Sequence, residues 1–79
     1  MKVEEIEGRI VELLKEEVPS VDFSRSDKMA EDGYIDSLSM TRIISAISLE
    51  FGVTIAYEDI VSENFNSPRA IAQMVVESV

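Results

Sequence analysis

Pro19, Gly52 and Pro68 divide this chain of 79 residues into segments with helical periodicity. Proline disrupts a helix beyond its first turn, and glycine readily adopts the left-handed conformation that ends one. The first segment, residues 3–17, therefore predicts a helix that ends before Pro19. Its glutamates share one face, and the opposite face is apolar: Val3, Ile6, Ile10, Leu13, Leu14 and Val18.

Residues 37–51 predict a second amphipathic helix. Asp36 precedes it as a natural N-cap, and Gly52 fits the position just after its last turn. Its apolar stripe consists of Met40, Ile43, Ile44, Ile47 and Phe51.

The C-terminal third predicts a short helix over 57–61 and a longer one over 68–79. Ser67 is a suitable N-cap, and Pro68 suits the first helical position. Residues 53–55 are apolar but too short for a strand without a partner. Because no hairpin signal occurs, we predict an all-α fold, a four-helix bundle with three longer helices and one short helix.

Residues 19–36 predict a long ordered loop that is rich in serine and aspartate. Val21, Phe23 and Met29 are its candidates for core contacts. Connections of this length inside a small protein are unusual and are often functional.

Length and composition predict a single domain over residues 1–79. Apolar residues make up 46% of the chain, which is too many for a disordered tail. No apolar run approaches the roughly 20 residues of a membrane-spanning helix, and the acidic N-terminus does not resemble a signal peptide. With no cysteine there is no disulfide framework. We therefore expect a cytoplasmic, soluble protein.

The net charge of −9 argues against nucleic acid and anionic membranes as partners. It favours proteins with basic surfaces. The charge is unevenly distributed, because residues 37–51 contain only Arg42 and Glu50 and are neutral as a segment.

An enzymatic role is improbable because the chain has neither histidine nor cysteine. These absences remove Ser-His-Asp catalysis and make zinc or iron sites very improbable. The acids around Gly33 do not form a calcium loop either. Aligning Gly33 with the loop glycine would place Lys28, Ala30 and Ser39 at ligand positions.

Ser37 is the remaining candidate for chemistry. Its position alone favours a helix-capping or first-turn residue without further role. The other interpretation is a hydroxyl that accepts a modification. A phosphodiester there would lie at the N-terminus of the 37–51 helix, which favours negative charge.

Three stretches resemble the acyl carrier protein family: GYIDSL at 33–38, EFGVTI at 50–55 and ENFNSPRAIA at 63–72. The resemblance covers nearly the whole chain. It implies that Ser37 carries 4′-phosphopantetheine, which a phosphopantetheinyl transferase takes from coenzyme A. The terminal thiol of this group would hold acyl or aminoacyl groups as thioesters. By the same resemblance, Asp36 and Leu38 contact the transferase and client enzymes.

The helix after Ser37 departs from the fatty-acid-synthesis carriers of the family, which line it with acids. Here the corresponding face holds Ser39, Arg42, Ser45 and Ser48. Gly33 also lies four residues before the serine, as in many specialised carriers. We therefore expect a free-standing carrier for a dedicated pathway.

Partner contacts of this carrier are predicted at Asp36, Leu38, Thr41, Arg42 and Ser45. Its own ligase or acyltransferase would load a fatty acyl group, a polyketide unit or an amino acid, and downstream synthases would use it. We expect a monomer. The alternative is a small acidic interaction or regulatory domain in which Ser37 is unmodified.

Overall fold

Residues 2–19 and 28–78 are described by the computed structural model. These ranges contain no strand, in agreement with the all-α prediction. The three α-helices are α1 (Val3–Glu17), α2 (Ser37–Phe51) and α3 (Pro68–Ser78). Their starts, and the ends of α1 and α2, agree with the sequence prediction.

The region between α2 and α3 differs from the prediction of one short helix over 57–61. It forms two 3₁₀-helices, Tyr57–Asp59 and Ser62–Phe65. The first ends because Ile60 leaves the helical conformation, with φ −85° and ψ 74°, and its side chain packs against the core. The predicted count of three longer helices and one short helix is therefore not confirmed in this region.

The core lies where α1 packs against both α2 and α3. The apolar stripes predicted for the three helices supply most of its buried side chains. Met29 is also fully buried, as predicted, whereas Val21, Phe23 and Val79 lie outside the described residues. The buried helical positions are Ile6, Ile10, Leu13, Leu14, Ile43, Ile47, Ile71, Ala72, Met74 and Val75.

Residues 53–55 contribute to the core without forming a strand. Val53 and Ile55 are buried, and Thr54 between them is exposed. Side chains alternate in an extended segment, so two residues that are two positions apart reach the same side. The sequence pattern does not indicate this contribution, because the burial of Val53 and Ile55 depends on what packs over them.

The predicted helix boundaries at Gly52 and Ser67 are confirmed by their hydrogen bonds. Gly52 has φ 65°, and its N–H donates to the carbonyl oxygen of Ser48 at 3.0 Å. The Ser67 hydroxyl oxygen accepts from the N–H of Ala70 at 3.1 Å. Within the described residues, no helix has the length and apolar composition needed to cross a membrane.

Alanine at Gly52 and at Gly8 should change stability in opposite directions. A Cβ would meet no atom within 4 Å at either position, so backbone conformation decides both effects. Gly52→Ala should lower the free energy of unfolding by about 1 kcal/mol because its φ is positive. Gly8 lies inside α1, where glycine is a poor helix former. Gly8→Ala should therefore raise the free energy of unfolding by about 0.5–1 kcal/mol.

Urea denaturation of the two variants and the wild type measures both effects. A Gly52→Ala protein as stable as the wild type would contradict the left-handed cap.

Candidate functional site

The start of α2 is held by Asp36, as the sequence predicts. Asp36 has an extended backbone, and its Oδ1 accepts from the N–H of Ser39 at 2.7 Å. Its carbonyl oxygen accepts the first helical hydrogen bond, from Met40 at 2.9 Å. Because Asp36 fills the N-cap position, Ser37 is the first residue of the helix and not its cap.

The hydrogen bond from Ser39 also affects the ionisation of the Asp36 carboxyl group. The N–H of Ser39 donates to the Asp36 carboxylate and lowers its pKa below the ordinary value of 3.8. Asp36 is therefore ionised at neutral pH, which strengthens its interaction with the first turn of α2.

Ser37 is exposed, and its hydroxyl has no hydrogen-bond partner within the described part of the chain. Its carbonyl oxygen accepts from the Thr41 hydroxyl at 3.0 Å, one turn further along α2. The Ser37 hydroxyl is thus accessible at the N-terminus of a helix, while the Thr41 hydroxyl has an internal role.

A tight turn leads into the site from Lys28 to Ile35. The N–H groups of Tyr34 and Ile35 both donate to the carbonyl oxygen of Met29, at 2.9 and 3.2 Å. Gly33 has φ 83°, a conformation that favours glycine. Met29 and Ile35 are both buried, so the chain is anchored in the core two residues before Ser37.

Asn66 connects this turn to the start of α3, a role that sequence reasoning missed. Its Oδ1 accepts from the N–H of Glu31 at 3.0 Å, and its Nδ2 donates to the Glu31 carboxylate. Its carbonyl oxygen accepts from the N–H of Met29 at 2.9 Å. The partners lie 35 residues apart in sequence, so no local pattern indicates the contact.

The predicted partner residues on α2 occupy one exposed face of the helix. Leu38 has 64% of its surface exposed, and Thr41, Arg42 and Ser45 follow at helical spacing. Leu49, which sequence reasoning missed, continues this face and is 88% exposed. The sequence does contain a signal for this position, because Leu49 follows Leu38 by 11 residues, which is about three helical turns and places both on the same face.

The charge on this face is positive. Among the described residues Arg42 has no ion-pair partner, whereas Glu50 at the far end of α2 pairs with Arg9 at 2.7 Å. The hydrogen bond to Glu50 raises the pKa of Arg9. No acid lies between Leu38 and Leu49, so Arg42 determines the charge that a partner meets there.

These residues can accept a group but offer little for catalysis. The chain has no histidine or cysteine to activate the Ser37 hydroxyl. In residues 2–19 and 28–78, no cluster of three or more acidic side chains is placed to hold a metal ion. What the described residues do present is an exposed hydroxyl at a helix N-terminus.

A family model described as the phosphopantetheine attachment site matches residues 4–75. This chain belongs to the phosphopantetheine attachment-site family. The family carries covalently attached 4′-phosphopantetheine and consists in general of non-catalytic carriers, which confirms the cofactor prediction. Comparison with curated proteins and with solved structures gave no match.

The surroundings of Ser37 fit this prosthetic group. A phosphodiester link needs an accessible hydroxyl, and the Ser37 hydroxyl is exposed without a described hydrogen-bond partner. It also lies at the N-terminus of a 15-residue helix, where the backbone dipole favours a phosphate. The exposed side chain of Leu38 beside it is available to a docking enzyme.

Loss of the Asp36 carboxylate should destabilise the protein in a pH-dependent way. Asp36→Ala should lower the free energy of unfolding at neutral pH because Ser39 loses its acceptor. The folded state lowers the pKa of Asp36, so its contribution is complete above the pKa of the unfolded chain. The difference from wild type should then shrink as pH falls through the folded pKa.

Chemical denaturation from neutral pH to about pH 2 measures this difference. Asp36→Asn is the control, since asparagine also caps helices but does not titrate in this range. A difference between wild type and Asp36→Ala that stays constant over this range would contradict the role of the ionised carboxylate.

Proposed function

We propose that this chain is a carrier protein in which Ser37 bears 4′-phosphopantetheine. The observation that carries the proposal is the exposed Ser37 hydroxyl at the start of α2, within the residues that the family model matches. When attached, the group supplies a terminal thiol that binds acyl or aminoacyl groups as thioesters.

The chain's own contribution to attachment is the Ser37 hydroxyl and its placement. The hydroxyl oxygen forms a bond to phosphorus of coenzyme A, adenosine 3′,5′-bisphosphate leaves, and the hydroxyl proton is lost. In this proposal the phosphopantetheinyl transferase supplies the base that takes this proton. Asp36 keeps Ser37 at the first position of the helix through its bond to Ser39.

In this proposal the whole chain, residues 1–79, acts as one monomeric carrier domain in the cytoplasm. Tethering an intermediate to a flexible arm raises its effective concentration at successive active sites. The partners are the transferase, a loading ligase or acyltransferase, and downstream synthases.

The charge on α2 supports a dedicated biosynthetic pathway in preference to housekeeping fatty-acid synthesis. Leu38, Thr41, Arg42 and Ser45 form the partner face together with Asp36. Its only charge beyond Asp36 is Arg42, which has no ion-pair partner among residues 2–19 and 28–78 and favours an enzyme with an acidic surface at that point. The cargo is a fatty acyl group, a polyketide unit or an amino acid.

A small acidic interaction domain with unmodified Ser37 is the second candidate function. The exposure of Leu38 and of Arg42 favours it, because such a face suits a protein partner with or without a prosthetic group. Modification of Ser37 distinguishes the two candidates.

Incubation of the unmodified protein with coenzyme A and a broad-specificity phosphopantetheinyl transferase should add the mass of one phosphopantetheine. Ser37→Ala should abolish the gain because it removes the accepting oxygen. Ser62→Ala is a matched control that should keep the gain, since Ser62 is also exposed and is the first residue of a 3₁₀-helix. Intact-mass spectrometry measures the result, and a gain that persists in Ser37→Ala would overturn the assignment.

Leu38→Ala should raise the transferase KM for the carrier roughly tenfold, because burial of a leucine at an interface contributes about 1.5–3 kcal/mol. The free energy of unfolding should change by less than about 0.5 kcal/mol, since Leu38 is mostly exposed.

Tyr57→Ala is the control for this contact. Tyr57 is an exposed apolar side chain that lies outside α2, in the first 3₁₀-helix. Steady-state kinetics should show a wild-type KM for Tyr57→Ala. Equal KM values for the two variants would argue against a contact at Leu38.

A further inference from the structure

Asn66 is the only buried polar or charged residue within the described ranges, with 8% of its surface exposed. Buried polar groups persist where their hydrogen bonds are satisfied. The side chain of Asn66 meets this condition through Glu31 alone, from whose N–H it accepts and to whose carboxylate it donates. Both groups belong to the turn that precedes Ser37.

The pairing joins this turn to a helix that packs against α1. Asn66 directly precedes Ser67, the cap of α3, and α3 packs along α1. The turn is held by its internal hydrogen bonds, by the buried side chains of Met29 and Ile35, and by its bonds to Asn66. Two of the backbone N–H groups of this turn, those of Met29 and Glu31, donate to Asn66 and so connect the turn directly to the start of α3.

We propose that Asn66 is a positioning residue for the modification of Ser37. Through Glu31 it holds the turn over residues 28–35 in one arrangement, and thereby holds Asp36 and Ser37 where the transferase meets them. The inference rests on the proposed function and adds to it a residue remote from Ser37 in sequence.

Loss of the hydrogen bonds between Asn66 and Glu31 should weaken recognition of the carrier by the transferase more than it slows the transfer step. A turn that samples several arrangements leaves only a fraction of the carrier competent to bind, and the apparent KM rises by the inverse of that fraction. Bound carrier has the turn in place, so kcat is retained. A residue that merely stabilised the folded state would leave both constants unchanged while the protein stays folded.

Isosteric substitutions test the pairing without changing the volume of the site. Asn66→Asp places a second carboxylate against Glu31 and should raise the transferase KM about tenfold, with kcat within about twofold. Glu31→Gln should remain near wild type, because the introduced amide oxygen can accept from Asn66. The double variant combines Glu31→Gln with Asn66→Asp. Its introduced glutamine can donate to the introduced aspartate, so the transferase KM should return to within about twofold of wild type.

Asn64→Asp is the control for general destabilisation. The Asn64 side chain donates to the carbonyl oxygen of Asp59 at 2.7 Å, so the change removes a donor near Asn66 without touching the turn. It should lower stability and leave KM unchanged. If Asn64→Asp raised KM as much as Asn66→Asp does, the positioning role would be overturned. A double variant whose KM stays as high as that of Asn66→Asp would also overturn it.

Amide hydrogen exchange on the unmodified protein gives a readout independent of the transferase. The amides of Met29 and Glu31 should exchange about tenfold faster in Asn66→Asp and recover in the double variant. The amide of Ile71, which donates to Ser67 inside α3, should keep its wild-type rate. Unchanged exchange at Met29 and Glu31 would overturn the inference.

The two proposals fail in different ways. A wild-type protein that gains no mass removes the proposed function, and the positioning role with it. A wild-type protein that is modified, together with an Asn66→Asp variant of unchanged KM, removes only the positioning role.

Discussion

The packing of α1 against both α2 and α3 is the constraint on which the other features depend. Ile10 and Leu14 are fully buried on α1, and Ile43, Ile71 and Val75 are equally buried on its neighbours. Burial of this apolar surface is the main favourable term for a chain of this size. It also places the start of α3 beside the turn before α2, which is how Asn66 reaches Glu31.

The candidate site uses this frame while remaining outside the core. Met29 and Ile35 are buried, yet Ser37 and Leu38, only a few residues later, are exposed. The Asp36 cap lies between these environments and begins α2 at Ser37. A hydrogen-bonded turn with buried anchors thus precedes an exposed hydroxyl, as the proposed modification of Ser37 requires. Arg42 then gives the exposed face of α2 beyond Ser37 a charge opposite to that of the whole chain.

Local chemistry explains which parts of the fold could be predicted. Asp36, Gly52 and Ser67 each act through backbone groups within four residues, so their capping roles follow from short sequence patterns. The short helix predicted over 57–61 is present only in part, as Tyr57–Asp59, because Ile60 leaves the helical conformation and packs against the core, which propensity does not report. Val53 and Ile55 were missed for the same reason, since their burial depends on what packs over them.

The sequence by itself determined the helix boundaries and the presence of a serine at the start of α2, because periodicity, caps and helix breakers act over a few residues. It also determined the charge of α2, which is a matter of composition. Only the tertiary structure decided that Asn66 holds the turn before Ser37 and that Leu38 and Leu49 remain exposed. Hydrogen bonds across 35 residues and the burial of a side chain depend on how the helices pack, and no short stretch of sequence contains that information.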